Sequence, residues 1–401
     1  MNLLRTSKVG IAALAVSASV GIAATASSSA KTLAPRGISA SSFTNDFSAM
    51  KALKPIAAAG SGKIAAILPD TTSSTRYVEF DAPDLKKAAA MAGLASSNMI
   101  VQNANGSDTT FITDAKADIS NGAKVLLIDP EDSGTGLTVS AYAASHGVKV
   151  INYDRLVTGA NAPANPYVSF NNVTVGKLIG KGFVQCAATW LKGKKPNVIV
   201  MHGAPTDNNA LLFSQGYMGV LNPLFKSGKY TLAANTAGTW NPTSPAPDAL
   251  DLFKAAYTAH PSANSALIPN DENGAPIITY LQSRGVKPYT FPTTGQDATL
   301  TGLDNILSGY QCGTVYKAVY KEAQASVALA LYLRAGKKAP ASLLNGKTEN
   351  PLNHKMVPSV LLPPVWVTTK NMKSTIVADK FVPTKQLCAK TYAKYCKKFG
   401  I

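Results

Sequence analysis

Histidine and cysteine are scarce here, four of each in 401 residues. His146, His202, His260 and His354 lie far apart and show no metal-ligand spacing. There is no G-x-S-x-G elbow, no glycine-rich phosphate loop and no H-E-x-x-H pair. These absences remove serine acyl transfer, nucleotide hydrolysis and zinc proteolysis from the motif-based readings. Beyond the first thirty residues no run is long and apolar enough to cross a bilayer. Charged residues make up only 15% of the chain and apolar ones 46%, an ordinary globular balance. That length supports a large core and suggests two domains.

The N-terminus stands apart. Arg5 and Lys8 precede an apolar run from Val9 to Ala24 and an Ala24-Thr25-Ala26 site, which reads as a secretory signal over residues 1–26. A membrane anchor is the alternative, but the run is short and rich in Ala and Ser. No Cys follows it for lipid attachment. The mature protein is therefore expected to be periplasmic or extracellular. In that setting four cysteines favour disulfides over metal or catalysis. Cys388 and Cys396 bracket a lysine-rich stretch and are placed to close it, which would leave Cys186 and Cys312; the sequence leaves this connectivity open. The net charge of +17 comes mostly from scattered lysines, apart from short runs such as 192–195 and the C-terminal stretch. With no DNA-binding motif it reads as a solvated basic surface and gives no reason to expect nucleic acid.

Residues 27–62, small and polar, read as a flexible lead-in. Short apolar runs then alternate with amphipathic stretches: KIAAIL (63–68), NMIVQ (98–102), KVLLID (124–129) and VKVIN (148–152). This is the rhythm of β-α-β units around a parallel sheet. After a Pro-rich break, NAPANP (161–166), the rhythm restarts with YVSF (167–170), NVIVMH (197–202), YTLAA (230–234), ALIP (266–269) and YTF (289–291). Two α/β lobes in tandem follow from this.

The strand ends carry the chemistry. Asp70, Asp129 and Asp154-Arg155 end strands in the first half; Asp207-Asn208-Asn209, Asn270-Asp271 and Gln296-Asp297 end them in the second. Ligands of open α/β sheets bind at the carboxyl ends of the strands, so two facing edges enclose a polar cleft. Carboxylates, amides, Arg and Lys suit a polyol, and Tyr77 and Trp240 stand at loop positions able to face its C–H surfaces. A pair of cleft acids doing glycoside hydrolysis is the enzymatic alternative.

The runs VKVINYDRLV, GAPTDNNALLFSQG, Asn270-Asp271, TGQDATLTG and GTVYK, in this order, resemble the D-xylose-binding group of periplasmic sugar-binding proteins of ABC transporters. VQNANG (101–106) agrees, and the likeness spans most of residues 63–340. The resemblance implies a type I periplasmic-binding-protein fold: two parallel-sheet lobes joined by a three-crossing hinge. The N-terminal lobe would comprise 63–158 plus 317–345, the C-terminal lobe 166–316 plus 350–385, with 386–401 a Cys-bracketed basic tail. It also implies the sugar site: Arg76, Tyr77, Asp154 and Arg155 from the first lobe, Asp207, Asn209, Trp240, Asn270 and Asp297 from the second, and Lys317 at the return crossing. Tyr77 takes the place of a family Trp, which implies a smaller ring face. Ser214, Asn171 and Pro69-Asp70 depart from the family pattern and bear on which sugar is bound. A Cys186–Cys312 bond within the second lobe would leave closure free. The implied function is a non-catalytic monosaccharide receptor, monomeric, without cofactor or metal, that delivers its ligand to an ABC permease. A secreted glycan-processing enzyme and a wall- or surface-binding protein acting through the basic tail are the alternatives. A repressor of the same fold is disfavoured by the export signal.

Overall fold

The structure, a computed structural model, describes residues 38–401. The expected signal peptide and the first part of the lead-in fall outside the described residues. In chain order the first lobe holds α1 (Lys54–Ala59), β1 (Lys63–Leu68), α2 (Ala82–Met91), β2 (Met99–Asn103), α3 (Asp108–Ser120), β3 (Ala123–Ile128), α4 (Ser133–Ser145), β4 (Lys149–Tyr153) and β5 (Tyr167–Phe170). The second holds α5 (Asn172–Trp190), β6 (Asn197–His202), α6 (Asn208–Lys226), β7 (Thr231–Gly238), α7 (Ala249–Ala259), β8 (Ser265–Leu267), α8 (Asp271–Ser283), β9 (Gly295–Gln296), α9 (Leu300–Ser308) and β10 (Thr314–Tyr316). The chain returns to the first lobe through α10 (Val319–Arg334), β11 (Gly346–Glu349) and β12 (Met356–Leu362). It ends on the second with β13 (Val365–Val367), α11 (Thr384–Leu387) and α12 (Ala393–Phe399).

The first-lobe sheet runs β11-β12-β5-β4-β3-β1-β2 and is parallel except for β11. Its inner strands β1 and β3 are buried at nearly every position, as a sheet covered on both faces requires. The second lobe has two three-stranded sheets, β7-β6-β8 and β13-β10-β9. Thr294 stitches them together: its Oγ1 accepts from Ile268 N at 2.9 Å and donates to Ile268 O at 2.8 Å. The chain passes between lobes at 170–172, 316–319 and 362–365, the three-crossing hinge of the type I fold.

Several expected boundaries move. YVSF (167–170), assigned above to the second lobe, is β5 of the first, because it pairs with β4 (Asn152↔Tyr167) on one side and β12 (Ser359↔Tyr167) on the other. NAPANP is thus a loop within the first lobe rather than a crossing. Of the span 350–385, β12 belongs to the first sheet and only β13 onward to the second. YTF (289–291) is a turn with Tyr289 at φ 61°; Pro288 and Pro292 flank it, and the strand begins only at Gly295. The lead-in is not loose from Ile38 on. Phe43, Phe47, Met50 and Leu53 recur at helical spacing and are buried against the first lobe. Each such side chain contributes about 1.5–3 kcal/mol when withdrawn from water, enough to order a segment that its Ala and Ser content made look free.

Both cysteine pairs are joined, Cys186–Cys312 and Cys388–Cys396, each with Cα atoms 5.8 Å apart. The first ties α5 to the segment entering β10, inside the second lobe. The second closes the C-terminal stretch, whose Leu387 and Cys396 are buried in the main core.

Candidate functional site

Polar residues at the strand ends do two jobs here. Asn171, Asp207, Asp248, Asn270 and Thr299 each accept a backbone N–H from the first turn of the helix that follows, satisfying an otherwise unpaired donor. Capping fixes these side chains at the loop-to-helix junctions beyond the strands. Asn171 caps α5 but faces away from the cleft, so that departure from the family pattern is a cap. Asp207 and Asn270 cap and face inward.

The lobes meet over a nearly filled cleft with a free volume of about 20 Å³, room for little more than a water molecule. All ten residues expected from the sequence line it: Arg76, Tyr77, Asp154, Arg155, Asp207, Asn209, Trp240, Asn270, Asp297 and Lys317. Ser73, Ser74, Phe213 and Gln296 complete the wall. Ser214 does not line it; its neighbour Phe213 does. The lobes are closed on each other. Ser74 Oγ donates to Asp297 Oδ2 at 3.1 Å, Asn270 Nδ2 to Ser73 O at 3.1 Å, and Asn209 Nδ2 to Asp154 O at 2.9 Å.

Asp154 is the electrostatic centre. It stands at φ 55°, the left-handed region that Asp tolerates better than most residues, and so turns its carboxylate out of the strand line. Arg76 Nη1 donates to its Oδ1 at 3.1 Å and the Tyr77 hydroxyl to its Oδ2 at 3.2 Å. Burial alone would raise its pKa. The cations Arg76, Lys317 and Arg155 and the Tyr77 hydroxyl outweigh that and hold it down at about 2. Asp297 sits at φ 90° and pairs with Lys317 Nζ at 3.0 Å. Gln296 Oε1 is buried with no partner within the protein, an acceptor facing the cleft. Asp207 ties the remaining groups: its Oδ2 accepts from Trp240 Nε1 at 2.9 Å and lies 3.4 Å from Arg155 Nε. Trp240 lies so close on Gly203 that a Cβ there would stand 2.2 Å from its ring, and Phe213 meets it edge-on. One aromatic face is thereby fixed at the cleft.

Behind this surface lies a cluster that the sequence reading missed. Arg76 enters a π-type turn, Tyr77–Asp81, closed by a bond from Ala82 N to Tyr77 O. Residues five apart meet in such a turn, and Arg76 makes a two-point bond to Asp81, Nε at 2.9 Å and Nη2 at 2.7 Å. The same Nη2 donates to Glu322 Oε2 at 2.6 Å, from α10. Tyr153 donates to Asp81 as well. One buried guanidinium is thus shared by three carboxylates, Asp81, Asp154 and Glu322. Burial, only partly offset by Arg76, pushes Glu322 up to about 8.

Asp271 proves structural rather than facing the ligand. Its carboxylate accepts from Thr299 N, Thr314 Oγ1 and Gln311 Nε2. A Cβ at Gly295 would stand 1.9 Å from Oδ1 and one at Gly302 2.2 Å from Oδ2. The glycines of TGQDATLTG are there to admit this side chain.

Residues 64–338 match the periplasmic binding protein domain family. The chain belongs to that family. This periplasmic binding protein is 34% identical to a D-xylose-binding periplasmic protein of Haemophilus influenzae over 71% of its own length and 81% of the relative's. It is 33% identical to the D-xylose-binding periplasmic protein of Escherichia coli over 76% and 86%. Among solved structures, a carbohydrate transporter solute-binding protein from Chloroflexus aurantiacus in complex with D-glucose superposes with a TM-score of 0.71. It is 25% identical and covers 80% of this chain and 97% of that one. The type I fold and a role in binding a sugar for transport follow from these together.

Proposed function

We propose that the protein captures a monosaccharide of the D-xylose type between its lobes and delivers it, as an exported monomer, to an ABC permease, without catalysis. One observation carries this: a small polar cleft in which Asp154, Arg155 and Arg76 of one lobe oppose Asp297, Asp207 and Asn270 of the other, with Lys317 at the hinge and Trp240 as an aromatic face. Carboxylates accept from hydroxyls while Arg and Lys donate, and such charged partners roughly double the strength of each bond. The ring of Trp240 takes an apolar sugar face. The ligand favours the closed state because both lobes touch it only there. Each central acid has a cationic partner, and Asp154 is held ionised; this suits recognition and not proton donation. The names of the D-xylose-binding relatives support a pentose.

Thermal unfolding of the mature chain against pentoses, hexoses and polyols tests the reading. With Kd near ~1 μM, a sugar at a thousandfold excess stabilises by about 4 kcal/mol. We expect D-xylose among the strongest. A panel in which no sugar moves the midpoint overturns it.

A further inference from the structure

A strongly cationic surface lies far from the sugar cleft, and the sugar site makes no use of it. Residues 368–401 contain eight lysines, all exposed, and one acid, Asp379, whose carboxylate already accepts from the hydroxyls of Tyr316 at 3.0 Å and Tyr320 at 3.2 Å. This segment is no loose tail. The Cys388–Cys396 bond closes it, Leu387 and Cys396 are buried, and α11 and α12 pack on α9.

Lys390, Lys394, Lys397 and Lys398 recur at spacings of three and four, which places them on one stripe across the turn before α12 and α12 itself. Cys396 points into the core, with Tyr392, Tyr395 and Phe399 half-buried around it. Like charges at these spacings repel and destabilise a helix; here the disulfide and the buried side chains hold the stripe together. The nearby acid Asp304 offsets little, since burial pushes its carboxyl up to about 7. Lys398 Nζ lies 5.9 Å from the ring of Tyr289, which is 38% exposed and meets Trp190 edge-on at 5.3 Å. Trp190 ends α5 and leads into exposed Lys192, Lys194 and Lys195. Charge and aromatic rings therefore share one face. It is a helix length from the cleft: α5 starts at Asn172, bonded to the cleft residue Asn209, and its 19 residues span about 28 Å.

We propose that this face docks the protein onto an anionic lipid surface, with phospholipid headgroups on the stripe Lys390, Lys394, Lys397 and Lys398 and with Tyr289 and Trp190 at the interface. The rings favour a membrane over a soluble polyanion, because Tyr and Trp beside lysines suit the headgroup boundary whereas a polymer reads charge alone. The choice of membrane also rests on the transport reading, since the permease lies there; the stripe itself does not. Docking at this end leaves the cleft free to open and close.

The test is co-sedimentation of the mature chain with vesicles of phosphatidylcholine alone and with about 30 mol% phosphatidylglycerol, at about 50 and about 500 mM salt. Thermal unfolding followed by circular dichroism reports the folding of each variant, and a sugar titration reports the cleft. The expected result is binding to anionic vesicles only, weakened by salt, with sugar affinity unchanged. Lys394→Gln, Lys397→Gln and Lys398→Gln together are expected to weaken it about a hundredfold, at roughly fivefold per lysine. If that variant folds poorly, Lys394→Gln and Lys398→Gln made singly give the same comparison, each expected to weaken binding about fivefold. Equal binding to both vesicle types, or undiminished binding by a folded variant, overturns the proposal. So does tighter binding to soluble polyphosphate of equal charge, which would make a polymer the occupant. Vesicle binding with a flat sugar titration would instead sink the transport reading and leave this surface standing.

Discussion

Replacing Glu322 by Gln perturbs the cluster behind the site without changing its shape. Glu322 Oε2 accepts from Arg76, which an amide oxygen can equally do, and Oε1 is buried with no partner. Burial raises the carboxyl from the ordinary 4.5 to about 8. A carboxyl held above its unfolded value binds its proton more tightly in the folded state. Its contribution to stability is therefore complete below about pH 4.5 and drains away as pH rises toward 8. Each unit is worth about 1.4 kcal/mol, so between pH 6 and pH 9 the natural protein loses about 3 kcal/mol from this group alone. The amide introduced by Glu322→Gln does not titrate. Urea unfolding of both proteins at the two pH values, compared as a difference, cancels the other titrating groups. The variant is expected to gain about 3 kcal/mol relative to the natural protein on going from pH 6 to pH 9, with sugar affinity at pH 6 changed less than about tenfold. A difference that stays flat with pH, or one of opposite sign, refutes the account of a single guanidinium shared by three acids.

Trp240→Ala removes the fixed aromatic face and releases its bond to Asp207, and is expected to weaken sugar binding by about 10- to 100-fold in calorimetric titration. Replacing Cys186 and Cys312 together by Ala should cost about 2–5 kcal/mol in urea unfolding. Sugar affinity should survive, because both residues lie within one lobe. Gly302→Ala drives a Cβ to 2.2 Å from the buried Asp271 carboxylate and should destabilise severely, whereas Gly219→Ala, with nothing within 4 Å, should be neutral or stabilising in thermal unfolding.

The strand ends were readable because short apolar runs with polar ends have only one use in a parallel α/β sheet; the same ends named Asp154, Asp207, Asn270 and Asp297. Strand pairing was not readable. YVSF is apolar throughout and could sit in either sheet, and only its two neighbours, one of them nearly two hundred residues later, decide. NAPANP has the composition of a linker whether or not it crosses between lobes. Arg76 was legible through the family likeness, but its partners were not. Asp81 meets it only because the turn is of π type, and Glu322 comes from a helix 246 residues away. Asp271 looked like its neighbour Asn270, and what separates them is the pair of glycines that make room for it.

The central claim is that one sugar is held between the lobes by acids from both. Calorimetric titration of the mature chain with D-xylose, alongside Asp154→Ala and Asp297→Ala, tests it most directly. Saturable one-to-one binding that both substitutions abolish, one on each lobe, is the predicted result. Binding that survives either substitution undiminished, or none in the natural protein, would contradict it.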